Sequence, residues 1–377
     1  MARTYSNIPL RACIALIAAL VAAFAVAVPV ANAGGGKKLS TATGGPTATA
    51  AATTSSATFF APSSVWNAPL ASNAALDPSS SAKSAALLSE VRNEISLGTG
   101  PWINEKDYST PLYTVSGTQA KVHVQLDNTA SWAGALGWVF AQGVPIPPGA
   151  KPAAGTDGHM VIYQPSTDTM WEFWRASLQS DGWHASWGGA MQHVSTSYGY
   201  YSNLAWPGLS SSLGWNWGAT ATSLPVIGGV AMIKELQAGH IDHALALDVP
   251  EPCQNTFSWP AQRNDGHSTD ANCMPEGAHL RVDPNLDLSK LNLPPITRML
   301  AEAAQKYGMI VRDRTGGAVG FFAEDPTPTG TDPYNGPGGI YGGLRPWNFL
   351  PKFPWASVQL LKMSSCTAAP CLPPVTG

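Results

Sequence analysis

The sequence predicts a mainly β fold, a single antiparallel β-sandwich or jelly-roll-like domain with about two packing helices. Short β-branched and aromatic runs alternate with Gly- and Pro-rich text, only two segments place apolar residues at helical spacing, and no internal repeat is visible. This pattern suits strands drawn from both ends of the chain around one core.

Taken in order, the first 33 residues have the parts of a secretory signal: Arg3 and Arg11, an apolar run over 12–30, and Ala31-Asn32-Ala33 before Gly34. Retention of that run as an anchor is the alternative, because its length approaches a membrane span. Residues 34–58 hold Gly, Thr, Ser and Ala with almost nothing to pack, and read as a flexible linker. Residues 59–377 form the expected catalytic β-rich domain. Its first helix is expected over 84–97, with Leu87, Leu88, Val91 and Ile95 on one face and Gly98 as the stop. Strands are expected at 112–115 and 122–126, in the hairpin arms 161–163 and 170–174, and at 226–233, 241–249, 279–282, 309–312 and 319–323. The second helix opens at Pro294-Pro295, carries Ile296, Met299, Leu300, Ala303 and Tyr307 as one stripe, and closes at Gly308.

With 12% charged residues and a formal net charge of −3, the chain offers no electrostatic reason to expect nucleic acid or an anionic membrane. No second long apolar run follows the signal, so the expectation is a secreted monomer, extracellular or associated with the cell wall, without stable membrane insertion. Cys13 leaves with the signal. Cys253, Cys273, Cys366 and Cys371 remain, an even number in an oxidising compartment. Of the three possible pairings, Cys253 with Cys273 and Cys366 with Cys371 is preferred, since each couple is near in sequence and lies in loop text. No CxxC supports zinc.

The richest chemistry lies in 155–177, GTDGHMVIYQPSTDTMWEFWRAS. Pro165-Ser166-Thr167-Asp168 supplies a turn, and closure about Ser166 and Thr167 sets Val161 opposite Glu172, which puts Glu172 diagonal to His159 on one face. Glu172 stands between Trp171 and Phe173, where a lone buried carboxylate is costly, so it is expected to be solvated, paired or functional. An apolar wall would raise its pKa and suit it to acid catalysis. Asp157 is close enough to orient His159 or to act as a second carboxylate. On the strand 241–249, alternation sends His243 with Leu245 and Leu247, and Asp242 with Ala244 and Ala246; a core histidine held by a backbone carbonyl is the plain alternative for His243.

If His159, Glu172 and His243 share a groove, they form an acid/base cluster. A divalent metal at those three residues is the lesser alternative, because no HxH or HExxH spacing supports it, and otherwise no cofactor is expected. Fourteen tryptophans, many beside Gly, Ser and Asn, exceed what a core needs. Trp171, Trp174, Trp187 and Trp259, with Tyr163, are expected to contact sugar rings. Arg263 is expected to clamp a uronate carboxylate, or to pair with Asp265. No GxSxG elbow, GxGxxG or GxxxxGK[ST] is present.

The strand AGHIDHALAL, the loop Trp259-Pro260-Ala261 and the helix exit Lys306-Tyr307-Gly308-Met309-Ile310-Val311-Arg312-Asp313 together resemble a broad group of secreted bacterial proteins of no firmly assigned activity, over roughly residues 155–325. In that group the strand more often reads Ile-Arg-His-Ala-Leu and the loop Trp-Pro-Ala-Arg-His. His243 therefore matches, while Asp242 and Gln262-Arg263-Asn264 depart. The resemblance implies one exported β domain and supplies no reaction.

The leading expectation is a glycoside hydrolase acting on an extracellular polysaccharide. Glu172 serves as acid/base, Asp157 or Asp242 as second carboxylate, and His159 and His243 as positioning groups. The alternatives are a polysaccharide lyase on a uronic-acid polymer, with Arg263, a histidine base and a tyrosine acid such as Tyr163 or Tyr198, and a non-catalytic glycan-binding cell-wall module.

Overall fold

The computed structural model describes residues 59–130, 133–209 and 214–374, so the expected signal and linker lie outside the described residues. The chain is strand-rich, with four mixed sheets and five helices and no barrel among the described residues. The largest sheet has the spatial order β1 (Trp102–Asn104), β14 (Gly320–Phe322), β9 (Leu245–Val249), β13 (Met309–Arg314), β12 (His279–Val282), β15 (Val358–Leu360). A four-stranded sheet runs β2 (Leu112–Thr114), β4 (Met160–Gln164), β5 (Thr169–Trp174), β8 (Trp187–Gln192). Two three-stranded sheets complete the set: β3 (Val124–Leu126), β7 (Gly182–Ala185), β6 (Ser177–Gln179), and β11 (Met274–Glu276), β10 (Pro252–Ser258), β16 (Ser365–Cys366).

The expectation of antiparallel sheets is corrected: every sheet contains a parallel pair, namely β1 with β14, β2 with β4, β3 with β7, β9 with β13 and β10 with β11. Parallel partners need a long crossover. The β9 to β13 connection includes helix α4 (Pro295–Lys306), which packs on β9 and β12. The central strand β9 is buried along its whole length because both faces are covered. Ala246, with Ala244 just before the strand, joins a core shared with Met160, Ile162, Met170 and Phe173 of the hairpin; Leu245, Leu247 and Val249 join a core shared with the helices.

The stripe expected on α4 is buried throughout. On α1 (Ser80–Leu97), Leu87 and Val91 face inward as expected, but Glu94 completes the buried face and Ile95 stays 39% exposed. The Glu94 carboxylate accepts the Val319 N–H at 2.8 Å, which draws that side of the helix onto the sheet. The three further helices are short: α2 (Gly134–Ala141), α3 (Ile233–Ala238) and α5 (Pro346–Phe349). The text of α2, GALGWVFA, is apolar around the whole turn and shows no periodicity to read.

The strand expected over 226–233 is absent. Gly228 N–H closes a turn onto Pro225 C=O, Gly229 takes a φ of 71°, and α3 begins at Ile233. A Cβ at Gly229 would lie 2.3 Å from the Ala246 amide nitrogen, so glycine is needed for this close approach to β9. A buried loop must find partners for its backbone groups elsewhere, and here two charged side chains provide several of them. The expected disulfides, Cys253–Cys273 and Cys366–Cys371, are both formed.

Candidate functional site

A cleft of about 1050 Å³ opens where β9 and β13 meet the mouth of the β4–β5 hairpin, and its walls include Asp157, His159, Trp174, Asp248, Arg263 and Asp313. It has the size usual for a ligand site. The hairpin register is the expected one, with Val161 paired to Glu172, and a 3-10 turn at Pro165–Thr167 closes it.

The decisive local feature is a β-bulge on β13. Val311 pairs with Leu247 and Asp313 pairs with Asp248, so Arg312 is an extra residue in the ladder. Its side chain turns inward, 1% exposed, and the guanidinium lies 3.8 Å over the Phe322 ring. Arg312 Nη1 donates to the carbonyls of Val226 and Gly228. Asp313 is thereby set beside Asp248 on the cleft wall. Burial, reinforced by the Asp265 charge and opposed by Arg312, pushes the Asp313 carboxyl up to about 7. Burial and the neighbouring Asp313 push Asp248 up to about 8. Two acids that hold protons near neutrality thus stand on adjacent strands.

Across the cleft, Asp157 accepts the Trp174 indole N–H at 3.1 Å, and the Arg175 guanidinium sits 4.2 Å over the same indole. Asp157 and Asp313 approach closely enough for their charges to interact. His159 is 4% exposed, and neither ring nitrogen meets a protein partner in hydrogen-bond geometry. Burial lowers its pKa to about 4, the Arg312 charge adding to the effect and Asp157 opposing it, so the ring is neutral, with both nitrogens sealed from solvent. Arg263 Nη2 donates to Gly218 C=O and Thr220 C=O at 2.9 and 2.7 Å. Burial pulls its pKa down to about 10, which still leaves it charged at neutral pH. Tyr108 and Arg175, both on the cleft wall, hold positive φ values of 57° and 54°, an uncommon conformation for side chains of their size.

One acidic cluster has the geometry to hold a divalent cation: carboxylate oxygens of Asp265, Glu276 and Asp313 lie within 4.8 Å of one another. Arg263, whose charge interacts with all three acids, already supplies compensation there.

Several expected site residues lie elsewhere. Glu172 is fully buried and outside the cleft lining, so its expected role as exposed acid/base is corrected. Its Oε1 accepts the Ala219 N–H at 2.6 Å and its Oε2 the Val226 N–H at 2.9 Å, which makes it an anchor for the buried loop. Burial pushes its pKa up to about 7 against those two hydrogen bonds and the Arg312 and Arg263 charges. His243 also lies outside the cleft lining, because Glu235 of α3 takes its Nε2 at 3.0 Å and the Ala244 carbonyl its Nδ1 at 2.8 Å. Asp242 pairs with His240 at 2.8 Å on the surface. The metal set His159, Glu172, His243 does not assemble, since each side chain has a different environment. Trp171 is buried in the core, Tyr163 donates to Asp168, and Trp259 packs against Tyr200, so none of these lines the cleft. Trp187 does line it but is only 6% exposed, too enclosed to offer an indole face.

Asp157, His159, Trp174 and Arg263 are therefore the expected residues that come together. Asp265, expected as a partner of Arg263, also lines the cleft, as do Asp248, Asp313, Tyr108 and Trp102, which were not foreseen. A signal for Asp248 exists in the text, because it interrupts the apolar strand Leu245–Val249 on the face of Ala244 and Ala246. Comparison with family models, with curated proteins and with solved structures found no match. No described helix is long and apolar enough to cross a membrane.

Proposed function

We propose that the protein is a secreted carbohydrate-active enzyme that cleaves a glycosidic bond of an extracellular polysaccharide, with Asp313 and Asp157 as its two carboxyl groups. The observation that carries this reading is the pairing of a carboxyl held near pKa 7 on one sheet with a second carboxylate at the edge of another, across a single cleft. Glycoside hydrolysis needs that asymmetry: one acid to protonate the departing oxygen and one base to attack or to activate water. Asp313 supplies the proton and Asp157 faces it. Asp248, more deeply buried, keeps its own proton at neutral pH, because burial and the Asp313 charge beside it both disfavour its ionised form. Trp174, fixed by Asp157 and Arg175, gives a partly exposed indole for a pyranose face.

A screen of the disulfide-bonded protein against plant and microbial polysaccharides, read as new reducing ends, tests the reading. Release of ends by the wild type, lost in Asp313→Asn and Asp157→Asn, supports it; release unchanged in both variants rejects these assignments. A second reading, a polysaccharide lyase, draws on Arg263 and Tyr108 in the same cleft lining, which have the chemistry of carboxylate clamp and acid. It predicts products with a new ultraviolet absorbance instead of simple hydrolysis products.

A further inference from the structure

Trp102 and Trp347 extend one margin of the cleft, and the packing of their elements leaves both rings outside the core. Trp102 lines the cleft and alternates on β1 with Ile103, which is 1% exposed. Trp347 sits on α5 between Pro346 and Phe349, both buried, with Phe349 packed on Tyr341 at a centroid distance of 4.9 Å. The two indoles stack at 5.8 Å with an interplanar angle of 21°, yet remain 39% and 54% exposed. Exposed apolar rings of this size are a loss to folding that burial would recover, and here firmly packed backbones hold them in water side by side. Thr99 and Asn104, which line the cleft near Trp102, add uncharged hydrogen-bonding groups.

We propose that Trp102 and Trp347 form a distal subsite that stacks an uncharged sugar ring, so that the ligand is a polymer chain running from this platform to Asp313 and not a disaccharide. The inference rests on the glycan reading above. A flat indole pair matches the C–H face of a pyranose, the contact by which an uncharged ring is held. Because the platform lies outside the reacting centre, it strengthens binding of long chains and leaves short ones untouched.

Affinity electrophoresis of the full chain, with disulfides intact, through gels containing hydroxyethylcellulose, xylan or galactomannan tests this. The wild type is expected to be retarded by at least one polymer, and Trp347→Ala to bind that polymer about three- to tenfold more weakly, the range that one aromatic stack supplies. Trp347→Phe should recover most of the retardation, and a two-unit oligosaccharide of the same polymer should bind wild type and Trp347→Ala equally. Unchanged unfolding midpoints would show that the exposed ring is not needed for folding. Retardation equal to wild type in both Trp347→Ala and Trp102→Ala would overturn the subsite alone. A wild type that no polymer retards would overturn the glycan reading and this inference with it.

Discussion

Two acids of similar proton affinity, one half-buried in the cleft wall and one fully enclosed, do opposite work, and substitution separates them. Asp313 and Glu172 are both pushed up to about 7 by burial, but Asp313 lines the cleft whereas both Glu172 oxygens are taken by backbone N–H groups. Asp313→Asn should lower turnover by about a hundredfold or more, the scale of general acid catalysis, with little change in unfolding midpoint. Glu172→Gln should instead leave a buried N–H without an acceptor and cost about 1–3 kcal/mol of stability, measurable by urea unfolding. An equal loss of stability in the two variants would remove the distinction. Because Asp313 must carry its proton, turnover should fall as pH rises through about 7; a flat profile between about pH 6 and 9 would exclude it as the acid.

The elements most legible in the text are those with local signals. Helix α4 shows its Pro start, its apolar stripe and its Gly stop within one segment, and the hairpin shows its turn residues and alternation; both fold as expected. The bulge on β13 has no such signal, because Arg312 becomes the extra residue only when β13 pairs with a strand about sixty positions earlier, Val311 with Leu247. The 226–233 run misleads for a related reason: its apolar side chains suit a strand, but Gly229 must approach Ala246 and the loop takes its hydrogen bonds from side chains. The local staples were readable as well. The Cys253–Cys273 bridge spans a separation of 20 residues and Cys366–Cys371 one of 5. Loop-closure entropy then predicts about 3 kcal/mol lost on replacing the first pair by serine and about 2 kcal/mol for the second. Urea midpoints that rank the two pairs in the reverse order would show that the entropy argument fails here.

On the scale of the whole molecule, the cleft unites side chains from sheets that the text alone does not juxtapose. Asp157, His159 and Trp174 were found because they cluster in one hairpin, whereas Asp248 and Asp313 arrive from β9 and β13, and His243 was misplaced because its partner Glu235 lies on a helix that was not foreseen. Concentrated buried acid also sets how global stability follows pH. Glu94, Glu172, Asp248 and Asp313 have folded pKa values of about 7, 7, 8 and 7, all raised above 4.5 or 3.8, so the native state holds protons that the unfolded chain has released. Their stabilising contribution is full below about pH 4 and lost as pH rises through about 7 to 8. His159 and His279, lowered to about 4 from 6.5, act in the other sense and lose stability only as pH falls below 6.5. Above pH 6.5 these two imidazoles no longer titrate, and His243, raised against its burial by its Glu235 partner, loses stabilisation in the same sense as the carboxyls, so the unfolding temperature should drop between about pH 6.5 and 8.5; a rise over that interval would contradict the buried-acid account. The extra residue at 312 ties these levels together. A chain shorter by that single codon would keep Asp313 opposite Asp248 in an unbroken ladder but remove the cation that now faces Asp248, Asp313 and Glu172 together. Architecture and reactivity would then fail at the same address.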